Sequence, residues 1–313
     1  MKPQKVILDT DIGDDIDDAL ALALILASPE LDLVGVTTVF GNTPARTRQA
    51  LTELVIAGRP DVPVASGCGA TMASRKHDHH YGQLENVPNQ DGTCLPATQL
   101  PKPDPRHGVD FLIETIMAGA GDLIPITIGG LTNMAMALVK EPRLAKKIPK
   151  IVAMAAEFRN PMAEWNIKCD PEAAHVVFAS GIPIDFTTWH IGVSAQFKKE
   201  DLARLAASPV PLAQYLHRAI TAWKDHHRNP SWEPMPSLFD PLAVATMIQP
   251  DLCTWKPGVV AVELQGQTTY GYTQFSERAD GHHRVAWDVD RDRAIGWYLD
   301  RILGYRMAVA KPA

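Results

Sequence analysis

The sequence predicts an α/β fold: one large domain over residues 1–313, with a mainly parallel, Rossmann-like central sheet flanked by helices and a helical C-terminal region. Three observations predict it. Short β-branched runs alternate with helical periods through the first half, which calls for right-handed βαβ crossovers. Apolar residues make up 46% and charged residues 21% of the 313. That is ordinary globular usage, and it excludes a disordered or fibrous chain. No internal repeat or linker-like stretch divides the sequence, although length alone allows two domains of about 150 residues each.

Val6-Ile7-Leu8 reads as the first buried strand, and the Ala/Leu-rich run Ala19–Leu26 as a helix stopped at Ser28-Pro29. Leu33–Val39 is the second strand, and a helix over Thr43–Ala57 ends at Gly58. Val62–Val64 follows as a short third strand. Leu123–Ile128, Ile151–Met154 and Ile182–Phe186 continue the strand series, separated by helical segments at 108–119, 131–140 and 171–179. Asp170-Pro171 reads as a helix start, with Asp as N-cap and Pro at the first helical position. Residues 66–107 are rich in Gly, Pro, His and Asn, a loop long enough to suggest function. Residues 198–249 read as largely helical, interrupted at Asn229–Ser237. Apolar runs at Val259–Leu264 and Val285–Trp287 precede a last helix near Arg291–Leu303.

Charge and cysteine usage exclude several function classes. Lys plus Arg number 30 against 36 for Asp plus Glu, a net charge of −6, so no general electrostatic footprint for nucleic acid or an anionic membrane exists. Cys68, Cys94, Cys169 and Cys253 are scattered, which argues against a zinc ribbon or a disulfide scaffold and fits a reducing cytosol. The N-terminus has no apolar core of signal-peptide length, and no run approaches the roughly 18–20 apolar residues of a spanning helix. A cytoplasmic protein is expected.

The segment Asp9–Asp18 holds six carboxylates in ten residues directly after a buried strand. Helix-dipole decoration accounts for one or two aspartates at a helix start, not for six. Such a cluster calls for a hard cation of the Ca²⁺ or Mg²⁺ kind. An EF-hand loop starting at Asp9 would need Gly and Glu where Asp14 and Leu20 stand. A haloacid-dehalogenase-type phosphatase motif fits Asp9-Thr10-Asp11 but not the following Ile12-Gly13.

The turn resembles instead the Asp-x-Asp-x-Gly-x-Asp-Asp-Ala turn of the nucleoside hydrolase family (inosine-uridine-preferring nucleoside N-ribohydrolases). Four further segments resemble that family in order: Val36–Asn42, ending in Gly-Asn; Ile128–Asn133; Ala163–Ile167 with Asp170–Ala174; and Phe239–Ala243. The resemblance implies calcium-dependent cleavage of the N-glycosidic bond of ribonucleosides by a homodimer or homotetramer. It implies that Asp11 is both calcium ligand and general base, that Asp18 and Asp240 supply further carboxylates, and that Thr132 supplies a backbone carbonyl. It also implies that Asp17, Asn42, Glu164 and Asn166 bind ribose hydroxyls, with Trp165 as an apolar wall.

Two departures stand out. The turn is two residues longer than the family motif; aligning Asp17-Asp18 with its paired aspartates leaves Asp14 and Asp15 as extra, and the rival register makes Asp14-Asp15 the metal pair. Phe239 stands where many members carry the histidine that protonates the departing base. Candidates for that work are His80 in the His77–His80 loop, the His226-His227 pair, and stacking of the base by Trp223 and Trp232. The rival readings are a dehalogenase-like phosphatase and a family member that binds a ribosyl ligand without turnover.

Overall fold

The structure, a computed structural model, describes residues 2–73 and 86–306. Strand β1 (Gln4–Thr10) leads to α1 (Asp17–Leu26), β2 (Leu31–Thr38), α2 (Thr43–Ile56) and β3 (Val64–Ser66). After a long connection come α3 (Gly108–Ala118), β4 (Ile124–Thr127), α4 (Thr132–Lys140), α5 (Leu144–Lys147), β5 (Ile151–Met154), α6 (Trp165–Cys169), α7 (Pro171–Phe178) and β6 (Ile184–Thr187). The remainder comprises α8 (Trp189–Ser194), α9 (Lys199–Ala206), α10 (Pro211–His226), α11 (Phe239–Ile248), β7 (Cys253–Val262), β8 (Thr273–Glu277), β9 (His283–Val289) and α12 (Arg291–Leu303).

Among the described residues these strands form one sheet in the order β3-β2-β1-β4-β5-β6-β9-β7-β8. Every neighbouring pair from β3 through β9 is parallel; β7 runs antiparallel to both β9 and β8. The chain steps outward from β1 through β2 to β3, then returns to the other side of β1 with β4. That reversal opens a crevice beyond the carboxyl ends of β1 and β4, the place where open α/β sheets bind ligands.

Alternation along β1 feeds two cores. Val6 and Leu8 join the cluster that includes α1, α10, α11 and α12, while Ile7 joins the one that includes α3, α4 and α7. Helix α1 is buried from Asp17 to Ile25 and packs against α11, buried from Asp240 to Thr246. Helices apolar all round belong in an interior. The two N-termini meet in the crevice, and this carries aspartates into it.

One boundary differs from the sequence reading: the third strand lies at Val64–Ser66, after Pro63 rather than across it. The C-terminal region is helical through Ile248 and again over α12, and between these β7, β8 and β9 extend the sheet. Asp170 caps α7 as expected, accepting from the Ala173 amide at 3.0 Å, with Pro171 next.

Candidate active site

The crevice is built from strand ends. Asp9, the penultimate residue of β1, is 1% exposed. Its Oδ1 accepts from Thr37 Oγ1 at 2.6 Å and Asn133 Nδ2 at 2.7 Å. Asn133 also donates to Thr38 O and accepts from the Cys68 amide, tying together the ends of β1 and β2 and the chain after β3. Burial pushes the Asp9 carboxyl up to about 7, against the Thr37 and Asn133 hydrogen bonds. Asp11 follows at the floor of the crevice. A Cβ on Gly129 would sit 2.7 Å from Asp11 Oδ1 and 2.8 Å from its amide nitrogen, so only glycine lets the chain after β4 pass so close. Burial raises Asp11 to about 6, with the Arg46 charge opposing it.

Asp17 and Asp18 on α1 and Asp240 on α11 are buried, and one carboxylate oxygen from each lies within 4.8 Å of the others. Burial, then repulsion among these aspartates, Asp11 and Asp15, holds all three well above the usual carboxylate range. Thr10 Oγ1 donates to Asp18, whereas every group that shifts Asp240 besides burial is another aspartate. Two helix N-termini offset only part of that repulsion. Hard anionic oxygens crowded together in this way fit a divalent cation of the Ca²⁺ type.

A buried arginine organises the turn. Arg46, in the first turn of α2 and 2% exposed, donates from Nε to Phe40 O at 2.6 Å and from Nη1 to the carbonyls of Asp11 and Ile12. Its Nη2 meets Asp14 Oδ2 at 2.6 Å. Phe40 itself adopts φ +64°, a left-handed conformation that bulky residues avoid unless the surroundings enforce it. From the other side, Asn89 Nδ2 and Gln90 Nε2 donate to the carbonyls of Asp14 and Asp15, each at 2.6 Å. The extra aspartates thus occupy a clamped bulge: Asp14 faces Arg46, and Asp15 lies exposed at the mouth.

Above the carboxylates is a cavity of about 280 Å³ lined by Asp11, Asp14, Asp15, Asp17, Asp18, Asp240, Ile128, Met154, Glu164, Trp165, Asn166, Trp189, His227 and Phe239. Of the residues expected from the sequence, Asp11, Asp17, Asp18, Glu164, Trp165, Asn166 and Asp240 converge here, with His227 of the His226-His227 pair. Glu164 also caps α6, accepting from the amides of Asn166, Ile167 and Ala156; burial raises it to about 7 against those bonds. Asn166 spends its amide on the carbonyls of Ile128 and Met154 at 2.8 and 3.0 Å, which leaves Oδ1 for a hydroxyl.

Other expected residues lie elsewhere. Asn42 caps α2, accepting from the Ala45 amide at 3.1 Å, and lines an adjoining cavity that shares Asp14, Trp165 and His227 with the first. Thr132 is buried at the start of α4, its hydroxyl committed to Asp170 Oδ2 at 2.7 Å, and does not line the cavity. Trp223 belongs to the core, and Trp232, 55% exposed, faces a separate surface depression. Neither lines the cavity. His77, His79 and His80 fall outside the described residues. Trp189, not singled out from the sequence, lines the cavity and stacks on Phe239, with ring centroids 6.5 Å apart and planes at 25°. Its position at the start of α8, just past the carboxyl end of β6, was the available signal.

A doubly wound sheet with a carboxylate cluster at its switch point defines a small-molecule enzyme of the α/β class. The family model "Inosine-uridine preferring nucleoside hydrolase" matches residues 6–296. The chain is 33% identical over 319 residues to a probable uridine nucleosidase 2 of Arabidopsis thaliana, covering 96% of this chain and 98% of the relative. It is 34% identical over 314 residues to the pyrimidine-specific ribonucleoside hydrolase RihA of Photobacterium profundum, covering 96% and 99%. A solved plant nucleoside hydrolase, the PpNRh1 enzyme, superposes with a TM-score of 0.83 at 32% identity, covering 96% and 99%. The chain therefore belongs to the inosine-uridine preferring nucleoside hydrolase family. It is a hydrolase acting on the N-glycosyl bond of ribonucleosides. Among the described residues no helix is long and apolar enough to cross a membrane.

Proposed function

We propose that the chain hydrolyses pyrimidine ribonucleosides, uridine foremost, to free base and ribose with a bound Ca²⁺. We place it in the cytoplasm as a single domain per subunit in a homodimer or homotetramer. The observation that carries the catalytic reading is the buried triad Asp17, Asp18 and Asp240 beside Asp11. The pyrimidine preference rests on the names of the relatives, and the oligomeric state rests on the resemblance alone.

Asp11, Asp18 and Asp240, with the Thr132 carbonyl, are the residues assigned to the cation. When bound, it would polarise a water and the ribose hydroxyls. Asp11 accepts the proton that the attacking water gives up, because its carboxylate lines the cavity beside the aspartates assigned to the cation. Asp17, Glu164, Asn166 and Asn42 hold ribose hydroxyls, and Trp165 covers the sugar. As the water oxygen bonds to the anomeric carbon, the C–N bond breaks and its electron pair leaves with the base, which needs a proton.

A turnover screen over uridine, cytidine, inosine and adenosine, reading base and ribose release, tests this. Uridine should be fastest. Exhaustive chelation should abolish turnover, and Ca²⁺ at about 100 times its Kd should restore it and stabilise the fold by about 2.7 kcal/mol through mass action. Full turnover in demetallated protein would remove the cation from the reading; no base release from any nucleoside, with ribose still bound in calorimetry, would favour the non-hydrolytic ribosyl binder that Phe239 suggests.

A further inference from the structure

The reaction proposed above leaves one proton unassigned: the one the departing base must receive. Phe239 presents hydrocarbon to the cavity, stacked on Trp189. Glu164 is fastened by three backbone amides. Asp11, Asp17, Asp18 and Asp240 are assigned to the cation, the water and the sugar; Asp14 pairs with Arg46, and Asp15 accepts from the Ile16 amide at 2.7 Å. His190 does not line the cavity; it is buried, with Nδ1 3.4 Å from Glu157 Oε2 and Nε2 3.2 Å from Trp287 O. Among the described residues, His227 is the one histidine that lines the cavity.

His227 is held in a defined way. It caps the C-terminus of α10, and its Nδ1 lies 2.9 Å from Trp223 O, the carbonyl one turn back. A carbonyl only accepts, so Nδ1 carries the hydrogen there and Nε2 is the nitrogen left to exchange a proton. The charged groups around it come from three elements. Asp14 and Asp15 of the extended turn line the cavity with it, and Arg46 of α2 and its own neighbour His226 line the adjoining cavity. The His226 ring lies 5.0 Å away, centroid to centroid. Desolvation at the crevice mouth raises the Asp15 carboxyl, and the Ile16 amide and then His227 oppose that rise. Asp14 thus pairs with Arg46, while Asp15 lines the cavity together with His227.

We propose that His227 is the acid for the leaving group, donating its Nε2 proton to the departing base and taking the place of the histidine that Phe239 lacks, with Asp15 as its electrostatic partner. This rests on the reading that the chain hydrolyses ribonucleosides. The step balances. Water gives its oxygen and one hydrogen to the sugar and its other proton to Asp11. The glycosidic electron pair goes to the base together with the His227 proton. Solvent then reprotonates the imidazole and receives the Asp11 proton.

The test compares His227→Gln and wild-type holoenzyme on uridine and on p-nitrophenyl riboside, whose leaving group departs without a proton. The ratio of kcat on uridine to kcat on the activated riboside should fall about 10²-fold or more in the variant, within the usual range for loss of a general acid. The alkaline limb of the uridine kcat profile, which reports the protonated acid, should disappear. A purely structural role would depress both substrates together and leave the ratio and the profile shape unchanged, and that result overturns the proposal. If wild-type enzyme cleaves uridine and His227→Gln keeps the wild-type ratio, only the acid assignment falls. If wild type releases base from no nucleoside, the hydrolase reading fails and takes this proposal with it.

Discussion

Asp11→Asn is expected to lower uridine turnover by about 10⁴-fold, the upper end of the range for a lost general base, because the same carboxylate also belongs to the set assigned to the cation. The fold should survive, since Asn has nearly the same volume and Gly129 still leaves it room. Stability should move in the opposite direction to activity. In the metal-free protein, Asp11 is a buried acid raised from 3.8 to about 6. A raised acid contributes stability that is fully present below the unfolded value and lost as pH rises through the folded one. Demetallated wild type should therefore lose stability between about pH 4 and 6 through this group, and Asp11→Asn should not. At pH 8 the demetallated variant should melt above demetallated wild type, while its gain in Tm on adding Ca²⁺ should shrink. Turnover within tenfold of wild type would exclude Asp11 as the base. A demetallated variant melting below wild type at pH 8 would mean that the carboxylate is stabilised by something other than the cation.

The aspartates were legible because six of them follow a buried strand, a pattern that surface decoration does not produce. The sheet was legible for a related reason: strands buried on both faces read as continuous apolar runs. Strand β8 escaped notice because Thr273–Glu277 lies at the sheet edge with no buried residue, so no hydrophobic pattern marks it. Trp223 was read as a base-stacking candidate, yet the sequence held the signal against it. Leu212, Ala213, Leu216, Ala219, Ile220 and Trp223 form one helical stripe, and all are buried. Trp189 was obscured for another reason. It is the first residue of α8, just past the carboxyl end of β6, and such a position reaches a cavity only through the angle at which the chain leaves the strand. His227 was legible only as one of the His226-His227 pair, and the fold turns one of the two into the cavity. Glu164 shows that a capping role and a place at the cavity coexist in one side chain, which a choice between the two would miss.

Arg46 was the least legible of the site residues, since one arginine near a helix start reads as a solvated surface cation. In the fold it is the buried counter-charge of the acidic turn, and Arg46→Met is expected to destabilise the protein by about 3–5 kcal/mol. Two effects oppose each other. Removing a buried guanidinium recovers its own desolvation cost, which is why replacing a whole buried ion pair with apolar groups is often neutral. Here only the donor goes. The carbonyls of Phe40, Asp11 and Ile12 remain, each accepting from Arg46, and a buried acceptor left unsatisfied costs about 1–3 kcal/mol. Asp14 adds little, because its side chain is 53% exposed and water replaces the lost partner. The loss should be larger without Ca²⁺, since Arg46 also opposes the upward shift of Asp11 and Asp18. Arg46→Lys should recover only part of it, because one ammonium cannot span acceptors on two chain segments as a planar guanidinium does. Urea unfolding of calcium-loaded wild type and both variants checks this. A methionine variant within about 1 kcal/mol of wild type would mean that water satisfies those carbonyls, and that Phe40 holds its left-handed backbone without the arginine.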